Sequence, residues 1–131
     1  MKRISLAAAV ALAAATFPQI AASQSAEERL GKVHFGTSCN PQAQELFDRA
    51  MLYQHSFWYS ASRRTFEEVL KEDPECAIAY WGIAISHRPN PLILPLTTAV
   101  LKNGLEAVEK GKTIGAKTDR ERDWLAAIAS M

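Results

Sequence analysis

Three histidines and two cysteines are the residues of this chain best suited to chemistry. His34, His55 and His87 could bind a metal or transfer protons, and Cys39 and Cys76 could react, bind a metal or form a disulfide. The sequence contains no CxxC, CxxCH, HExxH or GxSxG motif and no phosphate-binding loop. A lone helical histidine is more often a packing or surface residue than a ligand. We therefore expect no catalytic residue, no metal and no cofactor within this chain.

The first 23 residues are typical of a secretory signal peptide. Lys2 and Arg3 precede an uncharged apolar run over residues 4–17, and small residues lead to a cleavage position near Ala22 or Ser23. The alternative is a membrane anchor, but this run is shorter than the roughly 20 apolar residues of a span. We predict a periplasmic bacterial or secreted protein with no stable membrane anchor after cleavage.

Composition and charge exclude several classes of function. The chain has 131 residues, of which 48% are hydrophobic and 22% charged, so it holds one domain at most and is not disordered overall. Without Lys2 and Arg3 the basic residues fall from 15 to 13 against 14 acidic ones, so the mature formal charge is −1. A chain without a basic excess is not expected to bind nucleic acid.

Apolar residues recur at helical spacing throughout the mature part, which predicts an all-α fold. Asn40-Pro41 is a helix-start signal, because asparagine can cap a helix and proline suits its first position. This first helix should end at about residues 54–56, and a second helix should begin near Ser60.

Three more helices are predicted from their start and stop signals. Asp73-Pro74 repeats the first signal and opens a third helix that ends near residue 87. A proline-rich loop over residues 88–95 separates it from a fourth helix, which begins near residue 96 and stops before Gly115. A fifth helix begins at a capping box of Thr118 and Glu121.

The first two helices resemble a tetratricopeptide repeat, a pair of antiparallel helices with a period of about 34 residues. The residues that match the pattern of that family are Ala50, Tyr53, Phe66 and Pro74. The sequence departs from the pattern at three positions: Arg49 stands where leucine is usual, Ser62 where alanine is usual, and Phe57 where glycine often makes the turn.

The same pattern recurs further along the chain. Tyr80, Ala84 and His87 follow Leu46, Ala50 and Tyr53 by 34 residues, whereas Gly104, Val108, Gly111 and Ala116 follow Ser62, Phe66, Val69 and Pro74 by 42. The difference indicates an eight-residue insertion at the proline-rich loop. The resemblance implies a right-handed superhelix of about two and a half repeats. A lead-in (24–40) precedes the repeat domain (41–131). This domain consists of a first repeat (41–74), a second repeat (75–116) and the first helix of a third repeat (118–131).

The third repeat is expected to be incomplete. Leu125-Ala126 begins a third copy of the pattern, but no closing signal follows before Met131. Each repeat exposes an apolar face that the next one covers, and stable arrays usually contain at least three. We therefore expect Leu125, Ala126 and Ile128 to be uncovered, and a longer parent chain or a partner to cover them.

The resemblance implies a scaffold module that binds a protein or peptide partner on the concave face of the first helices. The positions that correspond to the family's groove are Gln44, Phe47, Met51, Gln54, His55, Ile78, Trp81, Ile85 and Arg88, with Arg120 and Asp123 from the third copy. The alternative for Phe47, Met51, Trp81 and Ile85 is burial under the N-terminal lead-in or a later helix.

Two other functions remain open from the sequence. The chain could be the N-terminal part of a larger exported enzyme or metal-binding protein whose active part lies elsewhere. Alternatively, the apolar stretch Leu92-Ile93-Leu94 between prolines could form a membrane wedge, or pack over the helix pairs or a neighbouring subunit.

A disulfide between Cys39 and Cys76 is also predicted. In a repeat array the first and third helices are parallel neighbours, so the two cysteines lie near the same edge, and export supplies oxidising conditions. The alternative is a pair of buried, reduced thiols.

Overall fold

The computed structural model describes residues 30–88, 90, 92 and 94–130, and this part of the chain is all-helical, as predicted. The helices are α1 (Pro41–His55), α2 (Tyr59–Glu72), α3 (Ile78–Ser86), α4 (Thr98–Ile114) and α5 (Asp119–Ala129). The predicted signal peptide lies outside the described residues. None of the described helices has the length and apolar character needed to cross a membrane.

Side-chain caps fix the starts of three helices. Asn40 accepts a hydrogen bond from the backbone N–H of Ala43 at 2.8 Å, which confirms the predicted start of α1. Thr97 caps α4 and Thr118 caps α5, each through its hydroxyl oxygen at 3.3 Å. These groups satisfy backbone donors that have no partner within the helix.

The predicted start of the third helix at Asp73-Pro74 is wrong, because α3 begins only at Ile78. The Asp73 carboxylate accepts hydrogen bonds from the backbone N–H groups of Asn40 at 2.8 Å and Glu75 at 3.1 Å. It therefore joins the turn before α3 to the start of α1 and does not cap α3, whose N-cap residue Ala77 supplies no side-chain bond.

The helices form two successive pairs, followed by α5. Helix α3 is central, because it contacts all four of the other helices. The largest fully buried apolar side chains, all in the common core, belong to Phe47, Phe66, Ile78 and Leu125. The expectation that Leu125 is uncovered is wrong: it is 2% exposed, and its Cδ2 lies 3.0 Å from the position that a Cβ on Gly111 would occupy.

Small residues allow the helices to approach closely. The Ser62 hydroxyl lies 3.0 Å from the carbonyl oxygen of Ala50, where α2 crosses α1. Gly104 of α4 occupies the corresponding place beside Ala84 of α3, since a Cβ added to it would lie 3.8 Å from the Ala84 carbonyl oxygen. A side chain larger than serine at either crossing would separate the two helices.

A disulfide joins Cys39, just before α1, to Cys76, just before α3. The Cα atoms are 5.0 Å apart, within the range that a disulfide needs. The bond holds the lead-in at the edge where α1 and α3 begin. The predicted pairing is therefore present in the structure.

Candidate functional site

The face formed by α1, α3 and α5 is where the sequence predicts a groove, and the chain's own N-terminal segment (residues 30–40) lies across it. The Phe35 ring packs against three aromatic rings, with centroid distances of 5.5 Å to Phe47, 5.9 Å to Trp81 and 5.7 Å to Trp124. The Arg120 guanidinium covers the same ring, 4.3 Å from its centroid. Phe35 therefore fills the middle of the face where the groove was predicted.

Polar contacts fix the N-terminal segment along its length. Gln44 accepts hydrogen bonds from the Thr37 N–H at 2.8 Å and the Thr37 hydroxyl at 2.7 Å, and donates to the Phe35 carbonyl at 2.9 Å. Asp48 accepts from the Phe35 N–H at 2.9 Å. Arg120 donates to the Gly36 carbonyl at 2.8 Å. The segment is thus bonded to both α1 and α5.

Four of the predicted groove residues therefore belong to the core. Phe47, Met51, Ile78 and Trp81 are all at most 5% exposed, so they are not open to a partner in this conformation. The physical reason is that the N-terminal segment and the neighbouring helices bury them. The sequence analysis gave such burial as the alternative for Phe47, Met51 and Trp81, but not for Ile78.

Gln54 has an internal role as well. Its side-chain oxygen lies 3.0 Å from the Ser62 hydroxyl and 2.8 Å from the Ser86 hydroxyl, and the two hydroxyls are 3.0 Å apart. These groups join α1, α2 and α3 through a small polar network. His55, by contrast, is exposed at the end of α1.

Ile85 and Arg88, the last two predicted groove residues, line an apolar pocket between α3, α4 and α5. Its volume is about 300 Å³, at the lower end of the range for ligand pockets. The remaining lining residues are Ala84, Leu96, Val100, Leu101, Gly104, Leu105, Val108, Ile128 and Ala129. Leu101 and Leu105 are about half exposed at its edge, so this pocket is open in the structure.

Arg88 gives this apolar pocket its polar group. The Arg88 Nε atom is buried and has no hydrogen-bond partner within the described part of the chain. A buried donor without a partner costs about 1–3 kcal/mol. Arg88 thus adds one positively charged side chain to an otherwise apolar lining.

The histidines do not form a metal site in the described residues. His34 bonds to Asp48 at 2.7 Å, and the Nδ1 atom of His87 lies 3.4 Å from Arg63 Nη1. Partial burial and then the positive charge of Arg63 lower the pKa of His87 and so favour its neutral form, while Glu67 acts in the opposite direction. No group of three potential metal ligands occurs in residues 30–88, 90, 92 and 94–130.

Comparisons with protein-family models, with curated proteins and with solved structures found no match to this chain. The inference about function therefore depends on the fold and on the geometry of the pocket.

Sequence reasoning did not identify Phe35, Ser38 or Glu121 as partners across the molecule. Phe35 is the one large aromatic side chain in the segment between Leu30 and Asn40, which was an available signal. The pairing of Ser38 with Glu121 had no signal, because Glu121 already fitted a capping box with Thr118.

Proposed function

We propose that this chain is a helical-repeat module that binds a protein or peptide partner. The observation that carries the proposal is the apolar pocket between α3, α4 and α5, whose edge exposes Leu101 and Leu105. Large apolar side chains around an open concave site favour a binding role.

Equivalent positions of the two helix pairs support a tetratricopeptide-like arrangement. Phe66 in α2 and Val108 in α4 are both buried, as are Val69 and Gly111 one turn later. At both crossings a small residue of the second helix lies close to an alanine carbonyl of the first. A right-handed superhelix of about two and a half repeats is the arrangement that these matches favour.

The partner that fits the pocket is an amphipathic helix with an acidic side chain. Apolar residues three and four positions apart would enter the space beside Leu101 and Leu105, which is a common mode of helix recognition. A carboxylate at its edge would be attracted to the positive charge of Arg88, which lines the pocket, and arginine is frequent among the residues that dominate binding energies. Binding would thus use Ile85 and Arg88 and leave the N-terminal segment in place.

The test begins with the selection of helical peptides from a displayed library on the purified protein. Selected peptides should carry apolar residues at helical spacing and at least one Asp or Glu. Leu101→Asp should weaken their binding at least tenfold, because it places a charge at the apolar edge of the pocket. Ile114→Asp is the matched control, since Ile114 is similarly exposed on α4 but does not line the pocket.

Arg88→Gln tests the polar contact separately. It should weaken the binding of a selected acidic peptide, and it should affect a peptide with Gln in place of the acid much less. The proposal fails if no sequence is enriched over an unrelated helical protein, or if Leu101→Asp and Ile114→Asp bind the selected peptides equally well.

A further inference from the structure

The connections after α1 and α3 lie side by side at one end of the helix array. The Arg63 guanidinium lies 3.4 Å from the His87 ring, and the Ser62 and Ser86 hydroxyls are 3.0 Å apart. We call this region the aromatic end; it consists of residues 55–64, Ser86, His87, Leu92 and Leu94. It is separate from the pocket edge formed by Leu101 and Leu105.

The aromatic end is basic and contains no acidic residue. The sequence has no Asp or Glu between Asp48 and Glu67, nor between Glu75 and Glu106. Arg63 and Arg64 lie within it, and neither forms an ion pair among the described residues. Neither guanidinium is therefore neutralised by a carboxylate, although Arg63 Nη1 also contacts His87.

Large apolar side chains project from the same end. Phe57 and Trp58 are 68% and 45% exposed in the α1–α2 connection, and Leu92 and Leu94 are 89% and 69% exposed after α3. These four account for half of the eight large hydrophobic residues that are exposed in the described part of the chain. Side chains as exposed as those of Phe57, Leu92 and Leu94 protrude from the protein.

The backbone at Phe57 holds its side chain outward at an energetic cost. The Trp58 N–H bonds to the Tyr53 carbonyl at 2.9 Å and the Phe57 N–H to the Gln54 carbonyl at 3.3 Å, which is the Schellman arrangement for a helix end. Phe57 occupies its left-handed position with a φ of 63°, where glycine is usual. The exposed ring contributes little to the core, and its ring contact is with the neighbouring Tyr59, 6.2 Å between centroids.

The exposed rings also have polar surroundings suited to an anion. A shallow depression of about 470 Å³ lies between Trp58 and Tyr59 on one side and Arg63 and Arg64 on the other, with His87 also in its lining. Arginine binds phosphate oxygens well because its planar group offers several donors. Anionic groups would therefore be held directly beside the projecting aromatic side chains.

We propose that the aromatic end docks reversibly on an anionic lipid surface. Phe57, Trp58 and the leucines after α3 enter the interface, where aromatic side chains are favoured, while Arg63 and Arg64 contact lipid phosphates. A lipid surface fits better than a protein partner because a fluid layer accepts separate protruding side chains without a preformed complementary pocket. This inference is independent of the peptide-binding proposal, since it uses a different surface.

The test measures co-sedimentation of the protein with phosphatidylcholine vesicles that either contain or lack phosphatidylglycerol. The protein should bind the anionic vesicles more strongly, and added salt should weaken that binding. Arg63→Gln with Arg64→Gln should lower the partition coefficient about fivefold for each arginine. Every variant carries the same N-terminal region, so any contribution of the apolar leader cancels in the comparison.

Phe57→Gly separates the surface role from a folding role. It should raise the melting temperature, because glycine relieves the left-handed strain, and at the same time lower vesicle binding. The matched controls are Lys110→Gln with Lys112→Gln and, separately, Ile114→Ser, which change charge and apolar exposure near the opposite end of α4. These controls should leave partitioning nearly unchanged.

Three results would overturn the inference. One is a lack of preference for anionic vesicles, and another is equal partitioning of the Arg63/Arg64 variant and its lysine control. The third is binding of polyglutamate through the two arginines without any binding to vesicles, which would assign the surface to an acidic protein instead.

Discussion

Glu121 of α5 accepts two hydrogen bonds from Ser38, one from its backbone N–H and one from its hydroxyl, each at 2.7 Å. The two residues are 83 positions apart in the chain, and Glu121 is only 2% exposed. The contact joins the N-terminal segment to the last described helix. It therefore closes the array across the face on which Phe35 packs.

Glu121→Gln should lower the free energy of unfolding by about 1–3 kcal/mol, because the amide retains only one acceptor oxygen and loses the charge that strengthens both bonds. Urea denaturation followed by circular dichroism measures this effect. Asp123→Asn is the control, since Asp123 is an exposed carboxylate on the same helix. Equal stabilities of the two variants would contradict the structural role of the Ser38 contact.

The same two residues show how far local sequence signals reach. Thr118 caps α5 as predicted, but the Glu121 side chain bonds to Ser38 and does not complete the capping box. At Asp73 the cap signal failed for a similar reason, because its carboxylate bonds to the Asn40 N–H. Local sequence patterns predicted the positions of most helices. The hydrogen-bond partners of Asp73 and Glu121, in contrast, are residues far away in the sequence, which local patterns do not reveal.

The candidate site was predictable only in part. The resemblance to the repeat family placed Ile85 and Arg88 among the groove positions, and both line the open pocket, but the pocket also needs Leu101 and Leu105 of α4. Their contribution depends on how α4 lies against α3, which spacing alone does not define. Burial of Trp81 under the N-terminal segment was an open alternative, but the sequence did not show that the Phe35 ring would stack on it.

The disulfide predicts a redox-dependent stability. The Cys39–Cys76 bond spans 37 positions of sequence, and closing a loop of this size contributes about 4 kcal/mol on the chain-entropy model. Reduction should therefore lower the melting temperature and speed hydrogen exchange in residues 31–38, which the bond holds near α1. Melting curves and exchange mass spectrometry, with and without reductant, measure both effects.

Cys39→Ser with Cys76→Ser is the control for this experiment. This variant should already resemble the reduced protein and should not respond to reductant. Two free thiols in the native protein, detected by mass spectrometry under non-reducing conditions, would show that the bond does not form in solution.

Gly82 and Gly104 should respond oppositely to replacement by alanine. A Cβ on Gly82 would collide with the Phe66 ring, which is fully buried, so Gly82→Ala should destabilise the protein by about 1–3 kcal/mol. A Cβ on Gly104 would have its nearest neighbour at 3.8 Å, an ordinary contact. Gly104→Ala should therefore stabilise the protein by up to about 1 kcal/mol through helix propensity.

Thermal and urea denaturation of the two alanine variants test this pair of expectations. Both variants add one methyl group to a helical glycine, one in α3 and one in α4. A difference in stability between them therefore reflects the surroundings of each glycine and not the methyl group itself. A gain in stability for both variants would mean that Phe66 can move aside, and that α2 and α3 are less tightly packed than the structure shows.

His87 should make stability depend on pH below neutrality. Partial burial and Arg63 lower the pKa of this histidine from its ordinary value of 6.5 in the folded protein, although Glu67 partly opposes the shift. Below pH 6.5 the unfolded chain therefore binds more protons at this position than the folded one. The contribution of His87 to the free energy of unfolding is fully present above pH 6.5. It is lost as the pH falls through the pKa that His87 has in the folded protein.

NMR titration of the His87 ring, together with urea denaturation across this pH range, tests the linkage. Arg63→Gln should raise the pKa of His87 because it removes a positive charge beside Nδ1, and His87→Gln should reduce the loss of stability in acid. His55→Gln is the control, since this exposed residue at the end of α1 should not alter the His87 titration. A His87 pKa above 6.5 in the folded protein would reverse the sign of the expected effect and contradict the Arg63 contact as its cause.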